Sequence, residues 1–148
     1  MKRVPIKSLS YDDGGMHLDG EPFTGIAYFL DDEGRLEAEV TYRAGSQVGL
    51  KRGWFKNGQP SYEASMFRGV LHGKNREWHR NGQLAEDSDY ELGFELRHKR
   101  WDEKGTLIEE FELDKNDPGY KRLEKYREAY KVDLAKYEER RAEEQREK

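Results

Sequence analysis

Cysteine is missing from the chain altogether, which rules out a disulfide framework and thiolate metal sites, the commonest structural zinc sites among them. That absence agrees with a reducing cytosol. No apolar run approaches the length that crosses a bilayer, and the opening Met1-Lys2-Arg3-Val4-Pro5-Ile6-Lys7 has no apolar segment of the signal-peptide kind. The expected location is therefore the cytoplasm. The AVILMFWYC set supplies only 34% of the 148 residues against 39% charged, too little for a thick two-layer globule but suited to a thin repeat array with much of its surface in water. A large sequestered catalytic cavity is not expected of such a chain. The apolar material leans aromatic, with nine Tyr, six Phe and three Trp beside sparse Leu, Ile and Val, and such side chains favour sheets.

The net charge of −4 hides two unlike parts. Residues 115–148 hold eleven Lys/Arg and nine Asp/Glu, so the first 114, with 16 basic and 22 acidic residues, stand at −6. Phosphate contacts dominate nucleic-acid affinity, so an acidic body argues against DNA or RNA as a partner, and membrane binding would want a basic, apolar-rich surface. The charge either serves solubility or steers a basic protein.

Glycine supplies a period. Gly20, Gly45, Gly69 and Gly93 recur every 24 or 25 residues; Gly25, Gly49 and Gly73 follow four or five later; Gly34, Gly58, Gly82 and Gly105 form a third set. Four residues before the third set stand Leu30, Trp54, Trp78 and Trp101. Phe55-Lys56-Asn57-Gly58 and His79-Arg80-Asn81-Gly82 carry Asn-Gly between runs of strand length, so each repeat reads as one β-hairpin. A three-residue loop ending in a left-handed glycine puts the Trp column on the same face as Leu36, Leu84 and Leu107, two residues beyond each turn glycine.

Strict alternation from there predicts one buried face holding the Trp and Leu columns together with Val40, Ala64, Ser88 and Phe111 and with Tyr42, Met66, Tyr90 and Leu113. It sets Arg52 opposite Tyr62, Arg76 opposite Glu86 and Lys99 opposite Glu109, and turns the recurring acids Glu39, Glu63, Asp87 and Glu110 to the other, solvated face.

The predicted fold class is mainly β: an elongated single-layer antiparallel sheet of tandem hairpin repeats with a long C-terminal α-helix. Residues 1–19 form an N-terminal capping hairpin around Asp12-Asp13-Gly14-Gly15; four repeats span 20–44, 45–68, 69–92 and 93–114; residues 115–148 form the charged helix. Asp117 and Pro118 suit an N-cap and first helical position, and Leu123, Tyr126, Tyr130, Leu134 and Tyr137 make a single apolar stripe. The stripe either packs on the sheet or serves a partner; beyond Tyr137 nothing apolar recurs, so a frayed end is expected.

No catalytic constellation stands out. His17, His72, His79 and His98 form no metal-binding pair, and no nucleophile elbow or nucleotide fingerprint is present, so neither enzyme activity, nor a metal, nor a cofactor is expected.

The order of two glycines, an aromatic, Asn-Gly, a Leu, an acid and a closing aromatic, seen over Gly45 to Met66 and Gly69 to Tyr90 and more loosely over Gly20 to Tyr42 and Gly93 to Leu113, resembles the bacterial MORN-repeat-variant family. The opening Asp19-Gly20-Glu21-Pro22-Phe23-Thr24-Gly25 is similar to that family's entry segment. Arg97, where the second glycine set would continue, and a fourth repeat one residue shorter depart from it. Many such proteins are labelled antitoxin or immunity proteins. The resemblance thus implies a cytosolic partner that neutralises one cognate toxin domain, and the acidic array would be steered onto a basic one; the alternative is a scaffold or adaptor for other protein or membrane-associated partners. Interfaces favour Tyr, Trp and Arg. The expected contacts are Arg52, Phe55, Tyr62, Glu63, Arg76, His79 and Asp87, joined by Tyr130 and Tyr137 from the helix; for Arg52 and Arg76, cross-strand pairing is the competing role.

Overall fold

In the computed structural model, which describes residues 1–146, nine strands form one sheet. They are β1 (Arg3–Pro5), β5 (Gly25–Leu30), β6 (Leu36–Arg43), β7 (Ser46–Trp54), β8 (Pro60–Phe67), β9 (Val70–Trp78), β10 (Leu84–Glu91), β11 (Phe94–Trp101) and β12 (Leu107–Glu112). Their spatial order is the chain order, so β5 to β12 form an antiparallel meander. Between β1 and β5 the strands β2 (Ser10–Asp12), β3 (Gly15–Leu18) and β4 (Glu21–Pro22) make a separate three-stranded sheet. Two helices, α1 (Pro118–Ala129) and α2 (Lys131–Arg146), follow the last strand.

Two kinds of turn alternate. Within each hairpin the loop has three residues: the Gly58 N–H donates to the Phe55 carbonyl at 2.9 Å, the Phe55 N–H to Gln59 at 2.8 Å, and Gly58 takes φ +84°. Asn57 completes this turn by accepting from the Gln59 N–H at 3.0 Å, as Asn81 does from Gln83 at 2.9 Å. Between hairpins the pairs Ala44-Gly45, Arg68-Gly69 and Leu92-Gly93 have positive φ at both residues, the type I′ geometry that matches strand twist.

The register departs from the expectation by one residue per hairpin. Trp54 pairs with Pro60 but Gly53 with Tyr62, leaving Ser61 as an extra residue; Glu37, Ala85 and Ile108 are extra at the equivalent places. Beyond this bulge the returning strand is turned over. Arg52 therefore faces Glu63, Arg76 faces Asp87 and Lys99 faces Glu110, in place of Tyr62, Glu86 and Glu109. The Trp column lies with the recurring acids on one face, here called the front, while Val40, Ala64 and Ser88 occupy the back. The single buried face of the expectation is thus divided between two.

Each face has its own cover. On the back, Val4, Phe23, Ala27, Val40 and Tyr42 are buried with Ile6, Leu9, Met16, Leu18 and Phe29 around them, and the three-stranded sheet closes this core. Its attachment runs through one turn: the Met16 N–H donates to the Gly45 carbonyl, the Gly45 N–H to Phe23, and the Phe23 N–H to Met16, at 2.9 to 3.0 Å. A Cβ on Gly45 would meet the Met16 carbonyl at 3.1 Å, so the close approach needs glycine there. The cap is more than the expected hairpin, since β1 also pairs parallel to β5.

On the front, the apolar stripe of the C-terminal segment packs on the sheet. Leu123 and Tyr137 are buried with Phe67 and Leu92, flanked by Phe94, Leu96, Tyr130 and Leu134. Asp117 caps α1, accepting from the Gly119 N–H at 2.7 Å, with Pro118 in the first turn. The single expected helix is two, meeting at Tyr130, where φ −106° and ψ 13° depart from helical values although hydrogen bonds run on from Tyr130 to Tyr126 and from Leu134 to Tyr130. Neither Gly nor Pro stands at the break. It falls where the Tyr130 ring meets Phe67 edge-on at 6.3 Å, so packing on the sheet accompanies the bend.

The expected fraying past Tyr137 is not found among the described residues. α2 is helical to Arg146, and Arg43 of β6 holds Glu144 at 2.6 Å. Arg68 pairs with Asp133, and Arg127 grips both oxygens of Glu91 at 2.8 and 2.6 Å. The expected helix over 115–148 extends past the described residues at 147–148.

Leu123 is 0% exposed, so Leu123→Ala is expected to lower the unfolding free energy in urea by about 3 kcal/mol. Val132→Ala, at a residue 66% exposed, should change it by no more than about 0.5 kcal/mol. Equal effects would mean that the helices do not stay on the sheet in solution.

Candidate partner-binding surface

The helices cover only the part of the front face near the inter-repeat turns. The other end of every hairpin carries a Leu or Trp paired across the strands with Leu or Pro: Leu30 with Leu36, Trp54 with Pro60, Trp78 with Leu84, Trp101 with Leu107. Leu30 is 52%, Leu36 36% and Leu107 45% exposed. At adjacent-strand spacing of about 4.8 Å, eight strands stretch this apolar strip over roughly 35 Å. Leu36, Trp54 and Phe55 line a shallow cleft of about 290 Å³ within it, with Arg35 and Lys56 at the rim. Contiguous apolar surface rimmed by polar groups is a common mark of a protein-binding region.

Beside the strip runs a ladder of alternating charge. The register brings Glu39, Arg52, Glu63, Arg76, Asp87, Lys99 and Glu110 into one row, each facing the next on the neighbouring strand. Arg76 lies 3.5 Å from Asp87 and Lys99 3.8 Å from Glu110; at the other end Arg3 pairs with Glu39 and stands 5.4 Å from the Tyr28 ring centre. In a second row Lys74 holds Asp89 at 3.0 Å and Arg97 pairs with the same carboxylate. Hydrogen bonds from Arg97 and Lys74 outweigh desolvation and keep Asp89 below the usual carboxylate range.

Four of the expected contact residues, Arg52, Glu63, Arg76 and Asp87, are thereby brought together, and Phe55 stands beside them in the cleft. The others are not. His79 occupies the turn position of Phe55 one repeat on, but its Nε2 is 2.9 Å from the Trp101 carbonyl, tying successive turns together. Tyr62 is on the back, laid over Gly53, where a Cβ would come within 2.2 Å of its ring; Lys51 stands 5.8 Å from the ring centre. Tyr137 is corrected from a contact residue to a core residue: it is buried between Phe67 and His72, its hydroxyl 3.4 Å from Ser65. Tyr130 is half-buried between Phe67 and Tyr126. Sequence reasoning missed Leu36, Trp54, Trp78 and Leu107 as surface residues, because only the bulge turns their column away from the core.

The back of the fourth repeat carries a second polar cluster. Here the chain is one residue short: between Asp89↔Arg97 and Tyr90↔Glu95 only a single residue is extra, whereas the second and third repeats have two at Gly49 and Gly73. This change of parity brings Glu95 to the side of Tyr90 and His98. Glu95 accepts from the Tyr90 hydroxyl at 2.7 Å and lies 2.7 Å from His98 Nδ1, while Glu109 lies 2.8 Å from His98 Nε2. Both ring nitrogens thus face carboxylates, and Phe111 stacks on the imidazole at 5.3 Å. Burial first, then Glu95, pushes the Tyr90 hydroxyl above its ordinary value. Among the described residues no group of three His, Cys, Asp or Glu is placed to hold a metal ion, and no helix is long and apolar enough to cross a membrane.

With the third hairpin's turns, bulge and pairing in view, its relationship is plain. Residues 71–91 match the MORN repeat variant family. The match spans most of β9 and β10, and the other three hairpins repeat its three-residue loop and its bulge. No curated protein matches the chain. MORN repeats generally belong to non-catalytic binding modules, and the apolar strip and charge ladder are a surface that such a module can use.

The hydrogen bond to Glu95, with help from Glu109, raises the His98 pKa above the ordinary 6.5. A raised folded-state value stabilises the fold fully below the unfolded pKa and ceases to do so as pH rises through the folded one. The stability difference between the native chain and His98→Gln is therefore expected to be larger near pH 6 than near pH 9. Urea titrations at both pH values measure it, and a constant or growing difference would show that His98 is not held as the cation.

Proposed function

We propose that this chain is a non-catalytic protein-binding module acting as a cytosolic immunity protein: it covers one cognate toxin domain of basic surface with the front face of its sheet. The carrying observation is the uncovered apolar strip with its Leu36, Trp54 and Phe55 cleft, flanked by a regular charge ladder. Large aromatic anchors set among polar residues supply most of the energy in protein interfaces. The immunity role is supported by the resemblance of the repeats to antitoxin-type MORN variants and by the charge of −6 on residues 1–114, which would steer the chain toward a basic target. An immunity protein needs no chemistry of its own, only coverage of the toxin's working surface.

A second reading, a scaffold for several protein partners, draws on the repeat itself, because the Leu30, Trp54, Trp78 and Trp101 steps are nearly equivalent sites. Co-expression with the product of the neighbouring gene separates the two. A stoichiometric complex, and growth restored to cells that the neighbour alone arrests, is expected. Leu36→Asp with Leu107→Asp, both at exposed positions, should weaken that complex roughly a hundredfold without altering the circular dichroism spectrum. An unaffected complex would move the interface off the strip; a harmless neighbour that does not bind would remove the immunity role in favour of the scaffold.

A further inference from the structure

The two edges of the nine-stranded sheet are unlike. β1 is three residues long, ends in Pro5 and offers little backbone for pairing. β12 has six residues, all exposed, with Ile108 at 63%. Among the described residues it pairs with β11 alone, and no backbone group of another element bonds to it. Its outer edge is an open row of N–H and C=O groups.

The charge rows all stop there with the same sign. Inside the sheet an acid of the front ladder has a base on both sides, as Glu63 does between Arg52 and Arg76. Glu110 has Lys99 on one side and nothing on the other. The neighbouring front row ends at Glu112, opposite Arg97, and the back row at Glu109, opposite Arg100. Glu109 and Glu110 remain 50% and 60% exposed while so paired, leaving each carboxylate room for another cation. Three glutamates on one strand also disfavour the simplest alternative, a second copy adding edge to edge, because like charges opposite each other repel.

We propose that β12 takes up an extended basic segment of the protein partner as a tenth strand, with main-chain hydrogen bonds giving affinity and the three glutamates selecting the sequence. The pattern required opposite Glu112, Phe111, Glu110 and Glu109 is basic, apolar, basic, basic. β11 meets the same four residues from the inside with Arg97, His98, Lys99 and Arg100, so the sheet already contains one strand with a base opposite each of the three glutamates. The proposal rests on the reading of the chain as a binding module and narrows the partner to one with an unpaired basic strand or tail.

The Leu113 N–H bonds inward to Leu96, so alternation leaves the main-chain groups of Glu110 and Glu112 facing outward. The test uses a short synthetic peptide with an Arg-Val-Lys-Arg core between threonines, and a second of the same sequence methylated on the backbone nitrogens of the first arginine and the lysine, the residues opposite Glu112 and Glu110. Calorimetric titration into the full chain measures binding, and amide hydrogen exchange locates it. Saturable binding of the first peptide with protection of β12 amides is expected, and none of the second, since methylation removes the two donors of the ladder without changing the charge. Glu110→Lys with Glu112→Lys should weaken the first peptide roughly tenfold and create binding of a Glu-Val-Glu-Arg peptide, whose arginine stays opposite Glu109. Equal binding of the plain and methylated peptides would reduce the effect to diffuse charge attraction and overturn the proposal, as would no binding, or self-association of the native chain through β12 seen by sedimentation. Should the charge-reversed chain fail to fold, the methylation comparison on the native chain carries the test alone. No toxin is needed, so loss of peptide binding with an intact toxin complex removes only the edge site, whereas peptide binding without such a complex removes only the immunity role.

Discussion

One extra residue on the returning strand of each hairpin, at Glu37, Ser61, Ala85 and Ile108, decides which side chains share a face. Side chains on a strand alternate with a period of two, so a single insertion exchanges the faces of everything beyond it. Without it, the Trp column and the Val40, Ala64 and Ser88 column would lie together and leave one face almost wholly polar. With it, both faces carry apolar residues: a deep row of small side chains on the back, a half-exposed aromatic strip on the front. The same exchange moves the acids Glu39, Glu63, Asp87 and Glu110 into line with Arg52, Arg76 and Lys99.

A single-layer sheet with apolar residues on both sides has to be covered twice, and the two ends of the chain do so at different places. The N-terminal segment closes the back over Ala27, Val40 and Tyr42; the C-terminal helices close the front over Phe67 and Leu92. Electrostatics accompanies the second cover, because the bases Arg43 and Arg68 meet Glu144 and Asp133 while Glu91 meets Arg127. These pairs are partly exposed and worth little each; the buried Leu123 and Tyr137 contribute the larger share of docking energy. What neither segment reaches is the strip at the far end of the hairpins and the outer edge of β12.

The fourth repeat shows how one residue alters local chemistry without breaking the array. Arg97 stands where earlier repeats have glycine, and the strand accommodates one extra residue there where they accommodate two. The shift of parity turns Glu95 toward His98 and Tyr90, replacing a row of small residues with a hydrogen-bonded group of ionisable ones. It lies next to the open edge, so the end of the array carries the densest charge of the sheet. A terminal repeat that departs from its neighbours is what a stacked array needs wherever no further repeat covers it.

Local chemistry was enough to expect the hairpins, the three-residue loop within each and the start of the helix, because Asn-Gly and Asp117-Pro118 act over four or five residues and need no knowledge of the rest of the chain. Arg52, Glu63, Arg76 and Asp87 were each singled out from the sequence, but alternation without the bulge puts the two acids on the face away from the two bases, so their coming together was not legible. The bulge was not legible: Glu37, Ser61, Ala85 and Ile108 share no residue type, and the bulge exists because it lets both faces pack, a condition satisfied only when all strands are assembled. Tertiary structure alone decided the exposure of Trp54 and Leu36, the burial of Tyr137, the break at Tyr130 and the helix continuing to Arg146, since each depends on surfaces far apart in the chain. The open edge at β12 belongs to the same class: three glutamates on one strand read as a solvated stretch until the register shows the inner acids of the two front rows, such as Glu63, Asp87 and Asp89, each between two bases.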